Sequence, residues 1–186
     1  MKRFDIIDTE LAEVKIVKRN LIGDNRGHLS RIFCRNELEQ ANWNEDISQI
    51  NHTYTQERGT IRGLHFQHPP HAEIKMVSCL RGSIWDVVVD LRENSATFLN
   101  WCAVNLSAAN LQALIIPKGF AHGFQTLEKD VELLYFHSAE YSKSAEDGLN
   151  PLDPSLDISW PLNIEQISDR DMNHKYIDSG FSGIKI

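Results

Sequence analysis

The chain has little cysteine and nothing long and apolar. Three cysteines in 186 residues, Cys34, Cys79 and Cys102, are odd in number and far apart, with no CxxC spacing. That pattern excludes a disulfide framework and a thiolate metal site, and leaves buried thiols as the simplest reading. No apolar run approaches the roughly 20 residues of a membrane span. The start, MKRFDIIDTEL, has basic residues without an apolar stretch behind them, so it does not read as a signal peptide. Positive charge is also in deficit: 19 Lys and Arg against 26 Asp and Glu, a net charge of -7. Without a broad basic face, nucleic acid and anionic membrane are excluded as partners. A small anionic ligand is not, since it needs only two or three local cations. The expectation is one soluble, cytoplasmic domain spanning residues 1–186.

What is present is alternation. In SIWDVVVDL (83–91), Trp85, Val87, Val89 and Leu91 fall on one strand face, and Ile84, Asp86, Val88 and Asp90 on the other. WCAVNL (101–106), ALIIP (113–117), GFAHGFQTL (119–127) and VELLYFHS (131–138) read as further short strands between turn-formers. RNELEQAN (35–42) is the one convincing short helix. The tail from Pro151 reads as an irregular wrap ending in a helical turn near ISDRDMN. Many short strands at close spacing predict an all-β sandwich or barrel with a few short helices.

The chemistry-bearing stretch is IRGLHFQHPPHAEIKMVS (61–78). Alternation puts His65 and Gln67 on one face, and Lys75 on the face of Val77 and Cys79. Polar groups on an otherwise apolar strand face are the make-up of a small-molecule cavity. Cupin barrels often hold a metal on an HxH pair, a glutamate and a later histidine. Pro117-x-Gly119-x-x-His122 matches the second cupin motif, but HxH is missing, leaving His65, His68, His71 and Glu73 as candidates. His65 and His68 are three apart and point to opposite faces of a regular strand. His68 and His71 flank Pro69-Pro70, which belongs in a loop. On spacing alone His65 reads either as a core histidine or as a site residue.

The motifs RGTIRGLHFQ (58–67), Lys75, GSIWDVVVDLRENSATF (82–98) and IPKGFAHGF (116–124) together resemble the nucleotide-sugar 3,5-epimerases typified by dTDP-4-dehydrorhamnose 3,5-epimerase. The match runs from GDNRG (23–27) through LDPSLDISWPL (152–162), in order and spacing. The resemblance implies a cupin-like β-barrel or jelly roll, a homodimer with sites near the interface, no cofactor and no metal. It implies a nucleotide-diphosphate sugar as substrate, with epimerisation at C3, C5 or both of a 4-keto-6-deoxy sugar in a deoxysugar pathway of the rhamnose type. By resemblance, His65 is the base, Asp171 its carboxylate partner, Tyr135 the proton donor and Lys75 the cation beside the enolate. His122 then contacts the keto region, Tyr141 stacks on the nucleotide base, and Gln49, Asn51 and Arg62 hold substrate. Arg26 reaches a neighbouring subunit's site, and Glu146 and Arg170 are peripheral contacts. The chain departs from the family at Ile22, Arg31, Ser78 and Phe136, several of which are expected around the nucleotide or the rim of the site. A sugar-nucleotide-binding cupin without catalysis and a metal-dependent cupin enzyme are the alternatives. The N-terminal segment DIIDTELAEVKIVKR is expected to pair across a subunit interface, because open sheet edges tend to be covered.

Overall fold

The structure, a computed structural model, describes residues 2–186. Its strands are β1 (Phe4–Asp8), β2 (Lys15–Arg19), β3 (Ile22–Asp24), β4 (Gly27–Leu29), β5 (Gln49–Thr55), β6 (Ile61–Gln67), β7 (Lys75–Arg81), β8 (Ser83–Asp90), β9 (Trp101–Ser107), β10 (Gln112–Ile116), β11 (Phe120–Thr126), β12 (Val131–His137) and β13 (Glu146–Gly148). The helices are α1 (Arg35–Leu38), continued by a 3-10 turn at Glu39–Ala41, and α2 (Asp169–Met172). Two antiparallel sheets form the body, in the orders β1-β2-β10-β7-β12-β5 and β13-β6-β11-β8-β9. This is the all-β, cupin-like architecture that the spacing and the resemblance predict. The β3–β4 hairpin stands apart from both sheets.

Strand-face alternation in the sequence becomes three apolar layers. Ile84 and Val88 point between the sheets, with Val77, Leu114, Leu133 and Phe120. Trp85, Val87, Val89 and Leu91 point the other way, under Leu149, Leu156 and Trp160 of the C-terminal wrap. On the outer face of the larger sheet, Met76, Ile115 and Phe136 pack against Leu38 and Trp43 of the helical segment. A strand such as β8 is therefore apolar on both faces because both are covered. Each fully buried aliphatic side chain of these layers contributes roughly 1.5–3 kcal/mol of transfer free energy.

β2 pairs with β10 and β1 with β2 within the chain, which makes β1 an edge strand of the larger sheet. One expectation is corrected here. Ser78 and Phe136 do not line the rim of any site. They alternate with Val77 and Tyr135, so both are buried and point away from the inter-sheet space, Phe136 against a stacked Phe33 ring. The cysteines are free, with Cys79 and Cys102 buried.

The DLRENSATF motif has a structural explanation. The buried Asp90 carboxylate accepts hydrogen bonds from the Arg92 backbone and guanidinium and from the Ser95 and Thr97 hydroxyls. These donors outweigh the effect of burial and hold its pKa at about 2. The turn after β8 is thereby fixed by one ionised carboxylate.

Candidate active site

β6 and β11 run side by side with His65 and His122 as register partners. Their approach depends on two glycines. A Cβ on Gly63 would lie 2.5 Å from the Gly123 Cα, and one on Gly123 would lie 2.8 Å from the Arg62 carbonyl oxygen. Gly63 also has φ +123°, a conformation that other residues rarely adopt. The glycines of RGLH and AHGF thus let the two histidine strands meet closely at the mouth of the sandwich.

Both histidines are oriented by carboxylates. The His65 Nε2–H donates to Asp171 Oδ1 at 2.7 Å. Asp171 is 3% exposed, and its second oxygen accepts from the Gly63 amide at 3.2 Å. Burial pushes the Asp171 carboxyl up, but the His65 imidazole, the Gly63 amide and Ser168 outweigh it, and the net pKa is below the ordinary value. Ionised Asp171 can only accept, so the His65 proton sits on Nε2 and leaves Nδ1 as the basic nitrogen. The C-terminal wrap makes the pairing possible: Gln166 bridges Thr60 beside β6, and Ser168 caps α2 by accepting from the Asp171 amide. His122 Nε2 meets Asp86 Oδ1 at 2.6 Å, and both residues are buried.

A cavity of about 260 Å³ opens in front of these pairs. The larger sheet supplies its opposite wall through β5, β7 and β12, with Asn51, Lys75 and Tyr135. Tyr135 is buried, which together with the negative charge of Asp86 drives its phenol pKa far up and keeps it protonated. Its ring packs edge-on to His122 and parallel to His137. Lys75 pairs with Glu73 at 3.3 Å, and Glu73 also accepts from His137 Nδ1 at 2.8 Å. Burial raises the Glu73 carboxyl, but His137 and Lys75 bring it below its ordinary value.

Most of the residues expected from the sequence converge here. Gln49, Asn51, Arg62, His65, Lys75, His122, Tyr135, Tyr141 and Glu146 all line the cavity. At the rim the Tyr141 hydroxyl donates to Glu146, which also pairs with Arg170, each at 2.7 Å. Arg26 is apart from the cavity, exposed at the β3–β4 turn and paired with Asp24. His68 and His71 lie beyond the end of β6 as expected, with His68 exposed and paired to Asp147. Among the described residues the cupin-type set of His65, Glu73 and His122 does not converge on a metal position; the convergent group is His65, Asp171 and His174.

Sequence reasoning assigned no site role to Asp86, His137 and His174. Asp86 had a signal, a carboxylate between Ile84 and Val88 on a buried strand face. Glu73, weighed only as a metal ligand, stands two residues ahead of Lys75, just before β7 begins, and His137 shares a face of β12 with Tyr135. His174 had none, because the wrap that carries it has no period.

The family profile described as dTDP-4-dehydrorhamnose 3,5-epimerase matches residues 8–179. The chain belongs to that family. It is accordingly an isomerase of the nucleotide-sugar epimerase kind. It is 39% identical over 179 residues to dTDP-4-dehydrorhamnose 3,5-epimerase of Shigella flexneri, covering 95% of this chain and 98% of that protein. Among solved structures it resembles the Legionella pneumophila dTDP-6-deoxy-D-glucose-3,5-epimerase in complex with dTDP-4-keto-L-rhamnose. That likeness has TM-score 0.90 and 35% identity, over 98% of this chain and 99% of that one. It also resembles a 3'-monoepimerase from Streptomyces bikiniensis in complex with dTDP-quinovose, with TM-score 0.83 and 33% identity, over 91% and 86% of the two chains. An epimerase of this family thus carries its expected base and proton donor on facing walls of one cavity.

Proposed function

We propose that this protein inverts C3 and C5 of dTDP-4-keto-6-deoxyglucose, in a cytoplasmic deoxysugar pathway of the rhamnose type. The carrying observation is the placement of His65 on one sheet and Tyr135 on the other, across a single cavity. Both reacting carbons flank the 4-keto group, so their protons are acidified by the same carbonyl. His65 Nδ1 removes a proton from one face of the sugar, and Asp171 stabilises the imidazolium that forms. Negative charge moves to the keto oxygen, where the Lys75 ammonium offsets it most strongly in the transition state. Tyr135, held as a phenol, returns a proton to the other face, which inverts the carbon. His122, fixed by Asp86, directs an imidazole edge at the same oxygen. Arg62 forks onto the diphosphate, with Gln49 and Asn51 beside it, and the exposed Tyr141 ring stacks on the base, backed by Glu146 and Arg170.

Arg26 lies too far out on its hairpin to serve this cavity, which supports a homodimer in which it reaches a neighbouring one. Light scattering and an Arg26→Ala variant test that arrangement: a dimer whose KM rises on substitution is expected, and a fully active monomer would exclude it.

The test of the reaction is exchange in D2O. Incubation with dTDP-4-keto-6-deoxyglucose, followed by NMR, is expected to place deuterium at C3 and C5. Incorporation at C3 alone would make the chain a monoepimerase, the activity named for its Streptomyces bikiniensis relative. No incorporation with any nucleotide-linked 4-keto sugar would overturn the reading in favour of a binding protein.

A further inference from the structure

The His65–Asp171 pair has a third neighbour with no part in the proton transfers above. His174 stands beside it, with ring centroids 6.3 Å apart from those of His65. The ligand atoms of His65, Asp171 and His174 all lie within 4.8 Å of one another. The His174 Nε2 is buried and has no hydrogen-bond partner among the described residues, an uncommon state for a polar nitrogen. It faces Gly148, the register partner of His65, where a Cβ would come within 2.5 Å of it. Only a glycine lets the ring approach β6 so closely. Asn150 holds the segment in place through the Met172 and His174 carbonyls, at 2.7 and 3.4 Å.

We infer that His65, Asp171 and His174 form a binding site for zinc or a similar transition-metal cation, and that its occupation switches off the catalytic base. Two imidazoles and a carboxylate, with a fourth position for water, are a usual donor set for zinc. Bond lengths of about 2.0–2.2 Å place tetrahedral ligand atoms roughly 3.3 Å apart. The trio's ligand atoms, all within 4.8 Å of one another, lie near that spacing. Outer support is already built, since the Gly63 amide holds Asp171 from behind. His174 also borders a separate groove of about 570 Å³, lined with it by Asp147, Gly148, Asn173 and Tyr176.

Inhibition follows from the tautomer. The metal takes the lone pair at His65 Nε2, the ring proton moves from Nε2 to Nδ1, and the hydrogen bond to Asp171 is exchanged for a metal bond. Nδ1, the nitrogen that must accept the substrate's proton, then already carries one. Substrate contacts in the cavity are untouched, so kcat falls while KM holds.

The site is tested first without catalysis, so that its failure is distinguishable from failure of the proposed reaction on which the inhibitory role rests. Co2+ added to the purified protein should give the visible absorption of a tetrahedral complex, displaced by Zn2+ and absent from His174→Ala. In turnover, saturating Zn2+ should lower kcat by at least about 100-fold, the contribution of a general base. Loss of an outer-shell group alone weakens metal binding about 10–100-fold, so His174→Ala should need at least about 100-fold more Zn2+ for half-inhibition. His174→Ala should turn over at the wild-type rate in the presence of a chelator. A Co2+ spectrum unchanged in His174→Ala, equal sensitivity of both proteins to Zn2+, or inhibition that raises KM alone would each overturn the assignment.

Discussion

His65 Nε2 and Asp171 Oδ1 lie 2.7 Å apart although 106 residues separate them in the chain. The contact joins a strand of the sandwich to a single helical turn in the wrap. It is a relationship of tautomer as well as distance: an acceptor-only carboxylate at Nε2 makes Nδ1 the base. His65→Ala is expected to lower kcat by about 100- to 10,000-fold with the fold retained by circular dichroism. Asp171→Asn should lower kcat less and leave KM nearly unchanged, because the carboxylate acts through the imidazole. Steady-state kinetics of both variants check this, and near-normal turnover of His65→Ala would remove it as the base.

Tyr135→Phe should separate the two proton transfers. The phenol is protonated in the native cavity and supplies the opposite face, so its loss leaves abstraction by His65 intact. Deuterium should still enter the sugar from solvent while epimerised product forms at least about 100-fold more slowly. Comparing exchange with product formation in one NMR time course decides it.

Lys75→Met removes the ammonium and leaves Glu73 with His137 alone. Loss of one charge-stabilising donor costs about 100- to 1,000-fold in kcat. The effect should fall on kcat more than on KM, since enolate charge exists only after proton abstraction. A pure KM effect would place Lys75 on the diphosphate instead.

His122→Ala should be the least stable of the site variants. It strands Asp86, whose second carboxylate oxygen already lacks a partner among the described residues, as a buried unpaired charge. Breaking such a pair costs about 3–5 kcal/mol. Urea denaturation should show a much larger loss for His122→Ala than for His65→Ala, since the His65 side chain is one-third exposed.

Acid stability should depend on Asp90. Its pKa is lowered from 3.8 to about 2, so its contribution is complete above the unfolded value and disappears as pH falls from about 4 through 2. The shift corresponds to about 2 kcal/mol at neutral pH. Asp90→Asn should be less stable than wild type by about that amount at pH 7. The gap should close as denaturation is repeated at successively lower pH.

Much of this molecule was legible along the chain. The two-residue period assigned β8 its two faces correctly, because each strand side chain has one of two directions and both were buried. The same period joined His65 to Gln67 and Lys75 to Val77, and the PP turn after Gln67 removed His68 and His71 from the site. Motif order supplied Tyr135, His122 and Asp171. Ser78 and Phe136 were misplaced because departure from a motif says nothing about which way a side chain points. Alternation with Val77 and Tyr135 turns both away from the cavity.

Sequence by itself determined the strands, their faces and the residue types that proton transfer beside a ketone requires, since these depend on local geometry and intrinsic chemistry. Tertiary structure alone decided the remaining partners. That Asp86 backs His122, that Glu73 takes both His137 and Lys75, and that His174 stands beside the base all depend on how two sheets and an aperiodic wrap close on one another. Those contacts are made through space between distant segments, and no period in the chain encodes them.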